Sequence, residues 1–230
     1  METQIHRLRL GHTNCYLIKE EGVILIDGGE PNKINRFVEK INEISIEPKE
    51  ISLILVTHCH WDHIGSLSEI KDLAGCRVAA NRHEKDWAEQ ALVVIPPAIG
   101  VWGKLLYIFF KFYKPFIKFR KTVVDVVLED KEFSLKPFGI NGKVLYTPGH
   151  TYGSMSVLLD TGDAFIGDLA MNAFPMRTGL GVPRFAEDIN AIKESWRLVL
   201  EKGAKQIYPS HGRPFKAEEL LKQVSDRGKL

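Results

Sequence analysis

The sequence predicts an α+β fold in which two β-sheets pack against each other and helices cover their outer faces. Short strand-like runs and amphipathic helical segments are mixed in both halves of the chain, without a simple repeat or a low-complexity linker. The 230 residues, of which 44% are hydrophobic, provide ample material for a buried core. Folds of this kind often remain one domain up to about 250 residues, so we expect a single domain over residues 1–230.

The first half of the chain contains five predicted strands and three predicted helices. The run Ile51–Val56 is continuously apolar and rich in branched residues, which is typical of a strand buried on both faces. Apolar residues from Ile34 to Ile44 recur at helical spacing behind Pro31, which suits a first helical turn. The other predicted strands are Gln4–Leu10, Asn14–Lys19, Val23–Ile26 and Cys76–Ala80, and the other predicted helices are His63–Leu73 and Arg82–Ala91.

The second half repeats this mixture of elements. Asp188–Glu201 is amphipathic, with Ile189, Ile192, Trp196 and Val199 on one stripe, and therefore predicts a helix that packs on a sheet. A closing helix is predicted at Lys216–Val224. The predicted strands are Val123–Leu128, Lys143–Tyr146, Met155–Asp160, Ala164–Ile166 and Gln206–Tyr208.

Charge and cysteine content restrict the classes of function and compartment. The net charge of +2 gives no global reason to expect a nucleic-acid partner. Three cysteines without paired spacing argue against a disulfide framework and fit a reducing compartment. The N-terminal residues METQIHRLRLG lack the apolar region of a signal peptide. We therefore expect a cytoplasmic protein, with a nucleic-acid partner disfavoured.

The stretch THCHWDHIG, residues 57–65, carries the strongest chemical signal. His58 and His60 are two apart at the end of a predicted strand, so they face the same side, with Cys59 on the other. Asp62 and His63 follow where the chain turns towards a helix. Imidazole and carboxylate groups suit Zn²⁺ and comparable divalent ions. Four such donors are too many for one open catalytic site and indicate two ions.

Three further donors stand at the ends of other predicted strands. His150 lies in YTPGHTYGS, Asp168 in FIGDLA and His211 in YPSHGRP. Each is next to a glycine, where the backbone can turn sharply and approach an ion. Five histidines and two aspartates from four strand ends can complete a binuclear site.

These residues resemble the signature of the metallo-β-lactamase superfamily. The motif THCHWDH is followed in the family's order by PGHT, GD and SHG, and preceded by NCYLI and VILIDGG. The resemblance covers nearly the whole chain and implies a four-layer αββα sandwich with the metal site at one edge of the two sheets. The signature is specific for the fold and the metal site, but not for the substrate.

The resemblance implies a role for each of the seven donors. The ligands of the first ion would be His58, His60 and His150. The ligands of the second ion would be Asp62, His63 and His211, with Asp168 bridging both ions. The implied cofactors are two divalent metal ions, with Zn²⁺ as the main expectation and iron or manganese as alternatives.

Other polar residues have weaker assignments. Asp27 follows Val23–Ile26 and is the main candidate to orient a ligand imidazole, although it also suits a turn before two glycines. Thr57 and Ser210 are secondary candidates of the same kind. Cys59 is expected to be a small buried side chain rather than a nucleophile. We expect that His12 and His83 do not bind metal. We expect Tyr152 to have a structural role rather than to contact the substrate.

The expected reaction is hydrolysis of a small-molecule ester, lactone or thioester with an apolar or acyl part, by a hydroxide held between the two ions. Asp62 would also accept a proton, as a catalytic residue. Two other reactions remain open: phosphodiester cleavage, as in nucleases of the same superfamily, and oxidation of a thiol by a single iron. A non-catalytic lipid-binding module is a third alternative, which the complete ligand set disfavours.

The segment 91–121 does not resemble the rest of the scaffold and is predicted to be an insertion. Within it, Gly100 to Lys121 contains six cations and no acid, so the rest of the chain carries 2 − 6 = −4. Its apolar positions exceed one narrow helical stripe. Three interpretations remain open: a lid over the metals, a dimer contact, and a peripheral contact with an anionic membrane. Trp102, Tyr107 and Phe110 are candidates for the wall of a substrate pocket.

Overall fold

A computed structural model describes residues 2–174 and 177–225. The described strands are β1 Gln4–Leu10, β2 Thr13–Lys19, β3 Val23–Ile26, β4 Ile51–Leu55, β5 Arg77–Asn81, β6 Val126–Leu128, β7 Phe133–Ser134, β8 Gly142–Tyr146, β9 Met155–Leu159, β10 Asp163–Phe165, β11 Gln206–Tyr208 and β12 Phe215–Lys216. The described α-helices are α1 Ile34–Glu43, α2 Trp61–Ile64, α3 Leu67–Ala74, α4 Lys85–Gln90, α5 Gly100–Tyr113, α6 Ile189–Glu201 and α7 Ala217–Ser225.

The strands form two mixed sheets of six. The first has the order β1-β2-β3-β4-β5-β6 and the second β12-β11-β10-β9-β8-β7. In the first sheet the pairs from β3 to β6 are parallel, so β3 and β4 end at the same edge. In the second sheet β8, β10 and β11 run in one direction, because β9 is antiparallel to both β8 and β10. Loops that follow these five strands are therefore gathered at common edges.

Three apolar layers separate the sheets and helices. The middle layer joins the sheets, with Leu53 and Leu55 from one and Val157 and Phe165 from the other. An outer layer packs α1 and α3 on the opposite face of the first sheet, and another packs α6 and α7 on the second. Since β4 contributes Leu53 and Leu55 inwards and Ile54 outwards, both of its faces are buried. The four-layer αββα sandwich is thus confirmed.

Most predicted elements are found within one or two residues, and three differ by more. The predicted strand Val123–Leu128 begins only at Val126, and the N–H of Val124 donates to the Glu89 carboxylate. The predicted helix His63–Leu73 is instead two helices, α2 and α3. The interruption falls at Gly65, whose N–H donates to the Gly29 carbonyl, and at Ser66, whose hydroxyl donates to the Glu30 carbonyl. The predicted helix Arg82–Ala91 begins only at Lys85. The two-residue strands β7 and β12 were not predicted.

The segment 91–121 contains α5 and runs along the loop at residues 182–186. The N–H of Ile99 donates to the Arg184 carbonyl, and the N–H of Ala186 donates to the Pro97 carbonyl. Among the described residues no helix has the length and hydropathy needed to cross a membrane. The division into one domain with an insertion at 91–121 stays a prediction.

Candidate metal centre

The predicted donors converge at the edge where the two sheets meet. Four of them follow β4, and the other three lie in the loops after β8, β10 and β11. Their ligand atoms form three close groups, with all atoms of a group within 4.8 Å of one another. These groups are His58 with His60 and His150, His58 with His63 and Asp168, and Asp62 with His63 and His211.

Asp168 lies between the two outer groups. Its Oδ1 is 3.6 Å from Nε2 of His63, and its Oδ2 is 3.7 Å from Nε2 of His150 and 3.5 Å from Nε2 of His211. Asp62 Oδ2 is 3.1 Å from Nε2 of His211. One carboxylate therefore faces donors of both groups, which is the placement required of a bridging ligand.

The donor set fits divalent cations. Within residues 2–174 and 177–225, the Nε2 atoms of His58 and His63 and Oδ1 of Asp168 are buried without a hydrogen-bond partner. Buried polar atoms are normally satisfied, and an orphaned cluster of nitrogen and oxygen donors calls for an ion. The Nδ1 atoms of His150 and His211 meet the carbonyl oxygens of Phe185 and His12 at 2.8 and 3.2 Å, which leaves Nε2 facing the cluster.

Asp27 holds the imidazole of His63, one of the predicted metal ligands. Its Oδ2 is 2.8 Å from Nδ1 of His63, and both side chains are fully buried. The backbone N–H and the hydroxyl of Thr57 donate to this carboxylate, and Oγ of Ser210 lies 3.3 Å from it. Asp27 has a φ of 62°, in the left-handed region that aspartate tolerates better than most residues. Thr57 and Ser210 thus support the centre through Asp27.

Glycines give the ligand loops their sharp turns. Gly149, directly before His150, has a φ of 137°, and an added Cβ there would lie 2.4 Å from the backbone N of Ile192. Gly167, directly before Asp168, has a φ of 55° and faces Thr57, with an added Cβ 2.8 Å from Oγ1. Both positions require a glycine for conformation and for space.

The imidazoles fall into two electrostatic classes. Burial, reinforced by neighbouring imidazoles, lowers the pKa of His58 and His60 well below the ordinary value, and burial also lowers the pKa of His150. Burial alone would lower the pKa of His63. The carboxylates of Asp27, Asp168 and Asp62 outweigh burial and raise this pKa to about 10. Asp168 and Asp62 similarly outweigh burial and raise the pKa of His211 to about 9.

A buried glutamate that the sequence analysis missed joins two ligand loops. Glu84 accepts hydrogen bonds from the N–H of Cys59, between His58 and His60, and from the hydroxyl of Thr151, next to His150. Burial raises the pKa of Glu84 to about 7, against the effect of these hydrogen bonds. Glu84 lies outside every recognised motif, so its role follows only from the tertiary structure.

The residues set aside by the sequence analysis do not join the cluster. Cys59 is buried, and burial raises the pKa of its thiol well above the ordinary value. His12 and His83 instead meet the carboxylates of Glu30 and Asp130. Tyr152 is 62% exposed, and its expected structural role stays a prediction.

The centre opens into a cavity of about 1420 Å³. Its floor includes His60, Asp62, His150, Asp168 and His211. Four aromatic residues of its wall come from the end of α5 and the turn that follows, namely Phe109, Phe110, Tyr113 and Phe116, and the others are Trp61, Phe174 and Phe185. Of the three predicted wall residues, Phe110 is therefore correct. Trp102 and Tyr107 are wrong, because only the later part of α5 reaches the cavity.

Comparison with known proteins agrees with this geometry. The family model of the metallo-beta-lactamase superfamily matches residues 8–211. A probable metallo-hydrolase from Methanocaldococcus jannaschii is 27% identical over 205 residues, which cover 87% of each chain. A hydroxyacylglutathione hydrolase from Haemophilus influenzae is 27% identical over 179 residues, covering 70% of this chain and 71% of the relative.

A solved structure has the same fold. It is an archaeal metallo-beta-lactamase superfamily protein from Sulfolobus tokodaii, with a TM-score of 0.67 and 23% sequence identity. The alignment covers 98% of this chain and 88% of the other.

Proposed function

This chain belongs to the metallo-beta-lactamase superfamily and is a metal-dependent hydrolase, and from that premise we propose that it cleaves an ester, lactone or thioester that has an apolar or acyl part. The observation that carries the proposal is the opening of the histidine and aspartate cluster into a cavity with an aromatic wall. The similarity to a hydroxyacylglutathione hydrolase, named for a thioester substrate, supports the choice of a carbonyl substrate.

The proposed centre holds two divalent ions. His58, His60 and His150 would bind one, and Asp62, His63 and His211 the other, with Asp168 shared. The placement of the two Asp168 oxygens, within 3.7 Å of donors from both groups, supports this assignment. Five imidazoles and two carboxylates suit Zn²⁺, and iron or manganese would accept the same donors.

The ions and the residues of the centre would have different roles in hydrolysis. Divalent ions in such a site would supply an activated water at neutral pH and would polarise the carbonyl oxygen of the substrate. Asp62 borders the cavity, and although burial opposes it, His63 and His211 hold the pKa of this carboxyl well below its ordinary value. Asp62 is therefore ionised at neutral pH. Its position beside the cavity, and not a raised basicity, supports its proposed role as a proton acceptor.

The segment 91–121 acts as a lid in this proposal. Phe110 contacts Phe185 at a ring-centroid distance of 5.8 Å, so the helix closes one side of the cavity over the ligand loops. Drug-sized ligands occupy sites of about 300–1,000 Å³, and the larger cavity has room for an acyl chain beside a polar group. The aromatic wall would bind that chain and exclude water.

Metal analysis and a substrate screen test the proposal. Protein purified without chelators should contain two equivalents of zinc or a similar ion and should hydrolyse acyl esters, lactones or thioesters. Turnover of only bis(p-nitrophenyl) phosphate would replace the proposal with phosphodiester cleavage. One iron with no hydrolysis would instead indicate oxidation of a thiol.

Two variants of α5 test the lid. Phe110→Ala should raise KM for long-chain esters more than for short ones, because it removes a ring from the cavity wall, and metal content should be unchanged. With esters dissolved as monomers and no lipid present, Phe112→Ala is the matched control, since this residue of the same helix is 76% exposed. Equal KM values for both variants across chain lengths would exclude α5 as the acyl-binding wall.

A further inference from the structure

The outer face of α5 is apolar although it is exposed. Val101, Leu105, Ile108 and Phe112 recur at spacings of four, three and four residues, which places them on one side of the helix. Their exposed fractions are 79%, 54%, 54% and 76%. The opposite face packs on the protein, where Gly103 is buried beside the carbonyl of Arg184. The helix thus covers the cavity with one face and presents a second apolar face outwards.

Aromatic rings continue this face along the later part of α5 and into the turn that follows it. Phe109 stacks on Tyr113 with a centroid distance of 6.0 Å, and Tyr113 contacts Phe116 at 6.5 Å. Phe116 is 76% exposed, and Phe174, which borders the same cavity, is 80% exposed. Single exposed apolar residues are ordinary, but a grouped set of this size marks a binding surface.

The positive charges around this face favour binding to a negatively charged partner. Residues 100–121 contain six cations and no acid. Arg120 pairs with Asp72, but within the described residues no carboxylate lies within ion-pair distance of Lys104, Lys111, Lys114 or Lys118. Lysines next to exposed aliphatic and aromatic residues are typical of helices that lie in the headgroup region of a bilayer.

We propose that the outer face of α5, with its flanking lysines, binds an anionic lipid surface. A second copy of the chain is a poorer occupant, because a symmetric contact would bring the same cations together. The 14 residues of α5 span about 21 Å, a length that suits a helix lying along the surface. The anionic leaflet facing the cytoplasm attracts basic segments of this kind.

The position of α5 links this surface to the cavity. The later part of the helix lines the cavity with Phe109, Phe110 and Tyr113, while Ile108 and Phe112 face outwards. A membrane-bound enzyme would therefore hold its cavity beside the bilayer, where molecules with acyl chains are concentrated. This last step rests on the proposed hydrolysis of acyl substrates, whereas binding to lipid does not.

Vesicle flotation tests the proposal directly. The whole protein, metal-loaded and chelated, is mixed with phosphatidylcholine vesicles with or without phosphatidylserine. Binding should require phosphatidylserine, weaken as salt is added, and be the same in the loaded and chelated states. Binding without hydrolysis of any acyl substrate would leave the lipid surface intact and remove only the proposed function.

Paired variants separate the apolar and the charged contributions. Ile108→Gln/Phe112→Gln and Lys104→Glu/Lys111→Glu should each weaken binding by about tenfold or more. The controls are Leu73→Gln, on α3 and 40% exposed, and Lys136→Glu/Lys222→Glu, at exposed positions outside the segment. Circular dichroism would verify that every variant is folded.

Two results would overturn the proposal. One is the absence of binding to the anionic vesicles, or binding that the α5 variants leave unchanged. The other is a dimer of the parent protein, measured by analytical ultracentrifugation, that the Ile108→Gln/Phe112→Gln variant dissociates. In that case a second copy of the chain would be the occupant of this face.

Discussion

The sequence indicated a role at the metal centre for one buried carboxylate, Asp27, but not for another, Glu84. Asp27 directly follows a strongly apolar strand and precedes two glycines, so its placement at a strand end was predictable. Its partner His63 was not identified in advance, because the contact spans 36 residues. Glu84 precedes the short helix α4 and reaches the loops of His58 and His150 only in the folded chain. A local pattern carries no signal for such a contact.

The buried carboxyl of Glu84 should make stability depend on pH. Its pKa is raised from 4.5 to about 7, so the folded protein keeps a proton that the unfolded chain releases. Below about pH 4.5 this difference contributes an amount on the order of 3 kcal/mol to the free energy of unfolding. The contribution is lost as the pH rises through about 7. Glu84→Gln cannot lose the proton, so the Tm of the parent relative to this variant should fall between pH 5 and pH 8.

The measurement is thermal unfolding of both proteins with a chelator present, so that metal loading does not vary with pH. Subtracting the two curves removes the titration of the imidazoles that both proteins share. Glu201→Gln, at an exposed position on α6, controls for a change of charge alone. A parent-minus-variant difference that stays constant across this range would contradict the proton-holding role of Glu84.

At the scale of the elements, the hydrophobic pattern of the sequence predicted the strands and helices whose apolar faces are buried by packing. β4 was recognisable because both of its faces enter apolar layers, and α6 because one stripe, including Ile192 and Trp196, packs on a sheet. The strands β7 and β12 have two residues each and cannot show a period. The break between α2 and α3 depends on hydrogen bonds from Gly65 and Ser66 to residues about 36 positions earlier, which local spacing cannot encode.

The loop after β8 should tolerate no side chain at Gly149. Gly149→Ala combines a φ of 137° with a Cβ placed 2.4 Å from the backbone of Ile192 on α6, so the loop or the helix must move. Gly203→Ala is a matched control, because Gly203 also has a positive φ, of 97°, but an added Cβ meets no atom of the described residues within 4 Å. The control should lose about 1–3 kcal/mol through backbone strain alone, and Gly149→Ala clearly more.

Urea unfolding of the chelated proteins measures this difference without the influence of metal. Because His150 follows Gly149 directly, we also expect Gly149→Ala to bind zinc more weakly than Gly203→Ala does. Equal losses of unfolding free energy in the two variants would show that the α6 contact is not a constraint on the loop.

At the scale of the whole molecule, the candidate centre connects the two sheets. Four of its donors follow β4 of the first sheet, and the others follow β8, β10 and β11 of the second. The sequence could indicate that donors lie at strand ends, since each follows an apolar run. It could not specify that Asp168 lies within 3.7 Å of donors from both sheets, because that distance depends on how the sheets pack. The resemblance to a known family supplied what local pattern could not.

A centre of this kind should stabilise the whole fold, and its removal should be measurable as a lower Tm. Each ion that binds only the folded protein at about 100 times its Kd contributes about 2.7 kcal/mol, or about 5–10 °C for a chain of this size. Chelation should lower the Tm by at least that amount, and by about twice as much if both ions are lost, and added zinc should restore it. Asp168→Asn, which alters the carboxylate shared by both groups, should start from a lower Tm and respond less to the chelator. An unchanged Tm in protein shown by elemental analysis to have lost its metal would mean that the ions do not tie the two sheets together.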